Sequence, residues 1–222
     1  MPLSRTDSGQ APGAEAPESI GTVDQAREHL GDSDSNARRR AARAFVDFGG
    51  DPAVLCRRLE DEDNLAVIEL AMTALVDAAT GSDGDSAARR DTVEALISLM
   101  RSKNASVRVQ TVSALQQVPD ETAAFVPALM SDPDPNVRIL TANLLQDFAH
   151  PDTHAWLRAL LRTDTHVNVC MAAVEALAET GTPDMVEDLD RLVDRFPDQP
   201  FVAAAVAQVR RLIEGRSEPD GS

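Results

Sequence analysis

Lysine is nearly missing from this 222-residue chain: Lys103 stands alone among 21 basic residues, set against 37 aspartates and glutamates, for a formal charge of −16. That balance excludes a broad grip on a phosphate backbone, which needs clustered cations to displace counterions, so no nucleic acid is expected as a partner. Joined to the preference for arginine, it points to a GC-rich genome, a salt-adapted cell or both, and to no activity. Cysteine is scarce too. Cys56 and Cys170 are too few for a disulfide framework, and each lies in an apolar helical pattern where a small hydrophobe would serve. No apolar run approaches the roughly 18 residues of a membrane span, and residues 1–19 lack the apolar centre of a signal peptide, so the expectation is a cytoplasmic protein with no membrane contact. Glycine-rich phosphate loops, Walker sequences and nucleophile elbows are missing from the sequence as well.

What is present is a repeat, carried by a 43% hydrophobic composition large enough for one folded domain. Val107, Val137 and Val167 recur at a step of 30, and stepping back by 40 and then 30 reaches Val67 and Ala37. The single step of 40 marks a ten-residue insertion, placed in a surface loop around Thr80 to Ala88. Asp34, Asn64, Asn104, Asp134 and Asp164 share one column three residues ahead of the valines and read as helix N-caps. Farther along, Phe45, Leu75, Leu115 and Leu145 form an apolar column that Glu175 breaks. A second helix follows in each unit, with Cys56, Leu96, Val126, Trp156 and Val186 in one column and Leu59, Leu99, Leu129, Ala159 and Leu189 in the next.

A helix pair of about 30 residues cannot bury its own apolar stripe, whereas stacked copies bury one another's. The spacing therefore predicts an all-α, right-handed α-solenoid of about five helix pairs over residues 20–214. The units fall near 31–60, 61–102, 103–130, 131–162 and 163–196, and a capping helix spans 197–214. Residues 1–19 and 215–222 read as tails without the apolar content to order themselves, with Gly215 as the left-handed cap that ends the last helix.

The stretches "DPDPNVRILTANLL" (Asp132 to Leu145), "KNASVRVQTVSAL" (Lys103 to Leu115) and "THVNVCMAAVEALAETGTPDMVEDL" (Thr165 to Leu189) resemble short-period HEAT repeats, the phycobilin-lyase HEAT-like type. The resemblance covers the last three units well and the first two weakly. It implies a scaffold on which many binding specificities have been mounted. It also implies that Arg38, Arg108 and Arg138 are structural bridges rather than site residues. Two functional readings follow from it. One is a non-catalytic adaptor for a cytoplasmic protein or peptide, as in bacterial or archaeal signalling such as chemotaxis; the other is a factor acting like a phycobilin lyase on a bilin-carrying protein, with Arg57, Arg58 and Arg101 meeting the propionates. Metal-dependent hydroxylation, also found among HEAT-like proteins, needs His-Glu pairs, and no histidine here precedes a glutamate.

No catalytic residue, cofactor site or metal site is expected. Cys170 and His166 share one helix at a spacing of four, but packing accounts better for the thiol. His150 and His154 have the spacing of a zinc pair, although Pro151 puts His150 outside the helix. Trp156 shares a core column. The resemblance also implies that the second helices line the concave face, which places Arg57, Arg58, Ile97, Arg101, Pro127, Leu157, Arg158, Glu187 and Arg191 against a partner. Basic groups then lie at one end, small and apolar ones in the middle and acidic ones, with Asp184 and Asp188, at the other. Pro127 either bends its helix or sits in the first turn of a late-starting one.

Overall fold

Each of the first four units begins where a short polar side chain satisfies free N–H groups of a first turn. In the computed structural model, which describes residues 19–81 and 85–217, Asp34 accepts from the amides of Asn36 and Ala37 and Asn64 from those of Ala66 and Val67, while Asn104 and Asp134 accept from one amide each, of Ser106 and Asn136. Helix α1 (Val23–His29) precedes the first pair, α2 (Ser35–Asp47) with α3 (Pro52–Leu59). The second pair is α4 (Leu65–Thr80) with α5 (Ser86–Ser98), extended by a 3-10 turn, Leu99–Arg101. The third is α6 (Ala105–Gln116) with two short pieces, α7 (Pro119–Ala123) and α8 (Val126–Met130). The fourth is α9 (Pro135–Gln146) with α10 (Thr153–Thr163), and the fifth is α11 (Val167–Thr180) with α12 (Val186–Arg195). Helix α13 (Pro200–Ser217) closes the stack. Among the described residues there is no strand.

The first helices stack in the order α2, α4, α6, α9, α11, with α1 and α13 at the ends, and the second helices form the other layer. The core runs between the layers from Ala26 to Ile213 as one continuous apolar cluster. Most of it is alanine and aliphatic, which lets neighbouring helices approach closely. At the α2–α3 turn Gly49 takes a positive φ of 73°, and a Cβ on Gly50 would lie 2.5 Å from the Phe45 ring. Gly181 is the other close approach, lying under Ile213 of the capping helix.

Several expectations need correction. Asp164 is not the cap of α11: His166 is, and its amide donates to the Asp164 carboxylate (2.8 Å). The equivalent bond joins Asp32 to Asp34, Glu62 to Asn64, Ser102 to Asn104 and Asp132 to Asp134, which fixes the true register. In that register Val169, buried completely, follows Val137 by 32 residues rather than 30, and Leu177 occupies the apolar column that Glu175 broke. Two one-residue insertions cause the slip. One lies in the turn holding His150 and Pro151, the other at the end of α10.

The ten-residue insertion is spread differently from the expectation. Helix α4 continues to Thr80 and α5 starts at Ser86, so the connection is confined to 81–85. The helix α13 runs through Gly215 to Ser217, and Gly215 forms no left-handed cap. The expected N-terminal tail up to residue 18, the end of the C-terminal tail at 218–222 and the loop centre at 82–84 lie outside the described residues.

Candidate functional site

The three bridging arginines behave alike at one end and differ at the other. Each points Nη1 back at the turn before its own helix: Arg38 to the carbonyl of Asp32 (2.8 Å), Arg108 to Ser102 (2.7 Å) and Arg138 to Asp132 (2.7 Å). Arg38 then lays Nε and Nη2 on both oxygens of Glu62, each at 2.8 Å, and Arg138 does so with Asp164 at 2.6 and 3.1 Å. These are fork-to-fork bonds between successive units, a geometry for which arginine is suited and lysine is not. Burial alone would raise the two acids, but the arginine forks and the amides of Asn64 and His166 outweigh it and hold both carboxylates below their ordinary range. Ile68 takes the arginine's place in the second unit, and Cys170 takes it in the fifth. There Arg195 of α12 reaches across to the carbonyls of Leu161 and Asp164.

The second-helix layer holds the residues expected to meet a partner. A third extra residue lies in the turn ahead of α12, since Leu177 precedes Leu189 by 12 residues where Leu115 precedes Val126 by 11; with it, Arg57, Ile97, Pro127, Arg158 and Asp190 fall in one outward column, and the fifth member is Asp190 and not Glu187. Arg57 and Pro127 are exposed, and Ile97 is half-buried against the core. Leu157 is 0% exposed and belongs to the core with Leu160 and Leu161, so it cannot touch a partner. The extra residue in the preceding turn rotates α10 by one position. That same shift leaves Trp156 half-buried, stacked on His150 with centroids 4.9 Å apart, instead of in the core. Of the two readings of Pro127, the late start is the observed one: α8 begins at Val126, and Pro127 lies in its first turn.

Most charges on this layer are already spoken for. Arg58 donates to the Leu30 carbonyl (2.9 Å), Arg101 pairs with Asp132, and Arg191 pairs with Glu187. Asp188, 3% exposed, is held by Arg162 at 2.6 and 3.0 Å, and Arg158 Nε lies 2.7 Å from it without the alignment of a hydrogen bond. Thr182 and then Arg158 lower the pKa of Asp184, and Asp190 pairs with Arg210. The expected acidic end is therefore largely neutralised within the stack. What remains open is Arg57 and a floor of small residues, Ala124, Pro127, Ala128 and Ala155, all exposed.

Neither cysteine is placed for chemistry. Cys56 is 1% exposed, and burial pushes its thiol up to about 12; Cys170 is fully buried, its thiol raised by the same cause, with Sγ 3.3 Å from the Asp164 carbonyl rather than on His166. His150 lies in the turn ahead of α10, where its Nδ1 accepts from the Asp152 amide (3.2 Å). Among the described residues no three His, Cys, Asp or Glu side chains come together as metal ligands, and no helix is long and apolar enough to cross a membrane.

The family model for HEAT repeats matches residues 122–210. No curated protein matches the chain in sequence. Among solved structures, the chain is similar to the archaeal HEAT-like repeats protein from Thermococcus onnurineus, at 17% identity, with 87% of each chain covered and a TM-score of 0.41. An engineered protein is similar at 21% identity over 88% of this chain and 98% of that one, TM-score 0.40. The complex of CpcE and CpcF of phycocyanin lyase from Nostoc is similar at 14% identity over 95% of this chain and 99% of that one, TM-score 0.32. The repeat assignment rests on the family match and on the helix register of the chain itself.

Proposed function

Proceeding from a HEAT-repeat solenoid, we propose that the chain is a non-catalytic scaffold that binds a protein or peptide along its second-helix layer. The observation that carries this reading is the corrected outward column. Among the described residues its exposed and unpaired members are Arg57 and Pro127, and beside Pro127 the exposed Ala124, Ala128 and Ala155 form a floor of small residues on the third and fourth units. Small, rigid, weakly hydrated positions in a row suit apolar anchors from a partner. A bilin-binding role has less support, because two of the three arginines it needs are engaged: Arg58 with a backbone carbonyl and Arg101 with Asp132.

The test is recovery of the tagged protein from its native host, with partner identification by mass spectrometry and visible absorption read on the same sample. A stoichiometric protein partner without a chromophore is expected. The double variant Arg57→Glu with Ala128→Glu should weaken that complex by about tenfold or more while leaving the melting temperature in place. A bilin-like absorption band, or unaltered binding by the double variant, would overturn the reading.

A further inference from the structure

Arg108 departs from its two counterparts. The register puts Asp132 where Glu62 stands for Arg38 and Asp164 for Arg138, yet Asp132 turns to Arg101 instead. Among the described residues nothing accepts from Nε or Nη2 of Arg108, whose guanidinium bonds only through Nη1, to the Ser102 and Lys103 carbonyls. The guanidinium is thus held at one end by the backbone, with its paired donors free at the other. It borders a surface cavity of about 420 Å³ where the turn Leu99–Arg101 reaches α9; half-buried Ile139 and Leu140 form its apolar side, and Asp134, the acidic cap of α9 on its wall, has its carboxylate occupied by the backbone and side-chain amides of Asn136. A carboxylate is the group whose two oxygens match a free guanidinium fork, and apolar walls beside it favour a flanking hydrophobic side chain.

We infer that Arg108 receives a carboxylate from an acidic, leucine-flanked segment of a protein partner, and that Asp132 is the intramolecular competitor that Arg101 keeps away from it. The inference rests on the scaffold reading and adds a second contact, where the second, third and fourth units meet. Arg101 is then a positioning residue: by holding Asp132 it keeps the Arg108 fork open.

The experiment is fluorescence anisotropy on the full chain with a labelled peptide of alternating Glu and Leu, beside the matched peptide of Gln and Leu. The acidic peptide is expected to bind at least about tenfold more tightly than its neutral match, with an affinity that falls as salt rises. Arg108→Lys keeps the charge but loses the fork, and should cost about tenfold. Because that variant also alters the backbone clasp, Arg101→Gln provides the decisive arm: it releases Asp132 to the Arg108 fork and should weaken binding about threefold or more, and adding Asp132→Asn, which removes the competitor and keeps an oxygen for the Asp134 amide, should restore it, a recovery that misfolding cannot produce. Equal binding of the two peptides, no binding of the acidic one, unaltered binding by Arg101→Gln, or no recovery when Asp132→Asn is added to it overturns the inference. Inorganic phosphate displacing the peptide more effectively than acetate at matched ionic strength overturns it in favour of a tetrahedral anion. A host partner that binds wild type and Arg108→Lys alike removes this contact and leaves the scaffold standing, whereas failure to recover any partner removes the scaffold.

Discussion

Glu62 and Asp164 are buried carboxylates gripped by arginines of the preceding unit, which ties the cohesion of the stack to acid. Both acids have folded-state pKa values below their ordinary 4.5 and 3.8, so their contribution is complete above those values and is lost as pH falls through the lowered ones. The melting temperature should therefore hold steady near neutrality and drop on acidification below about pH 4.5. Glu62→Gln should cost about 1–3 kcal/mol at pH 7, since Arg38 would keep a partly buried charge with a weaker acceptor, and should flatten the acid limb of the curve. An unaltered acid limb in that variant would mean that other carboxylates dominate. The structural role of Arg38 and Arg138 was legible from the resemblance, because the arginine recurs at a fixed place after the helix start. Its acidic partners were not, since Glu62 and Asp164 differ in type and lie 24 and 26 residues farther on.

Helix α10 shows where a fixed step fails. The caps, turns and helix pairs of the first three units were legible, because short polar caps and proline or glycine turns act locally. An inserted residue, however, rotates every later side chain on its helix by about 100°. One such residue moves Leu157 into the core and Trp156 half out, and three of them bring Asp190 rather than Glu187 to the outward column. Aspartate at these two adjacent positions separates the alternatives. Leu157→Asp should destabilise the chain by more than about 4 kcal/mol in urea, as an unpaired buried charge does. Trp156→Asp should cost less than about 2 kcal/mol, because only part of its ring is covered. The reverse order would restore the unshifted column. The bends and breaks were only partly visible for a related reason: the gap between α7 and α8 depends on where the helix starts, and Pro127 is compatible with either start.

At the scale of the molecule, 37 acids against 21 bases would push an unpaired surface apart, yet many of the exposed arginines sit on carboxylates: Arg43 on Asp47 and Asp77, Arg210 on Asp190 and Glu214. The inter-unit pairs sew neighbour to neighbour, as the apolar packing does. Helix α1 packs on α2 and α13 on the fifth unit, so each end of the stack is held from one side only. That arrangement has a mechanical meaning. Stretched by its two ends, such a chain unzips from the termini inward, each step freeing one unit of about 30 residues and roughly 100 Å of contour length. An optical trap should record a staircase of small, low-force extensions with refolding between them, so that the protein yields under tension as a spring with a long working range rather than as a clasp that snaps.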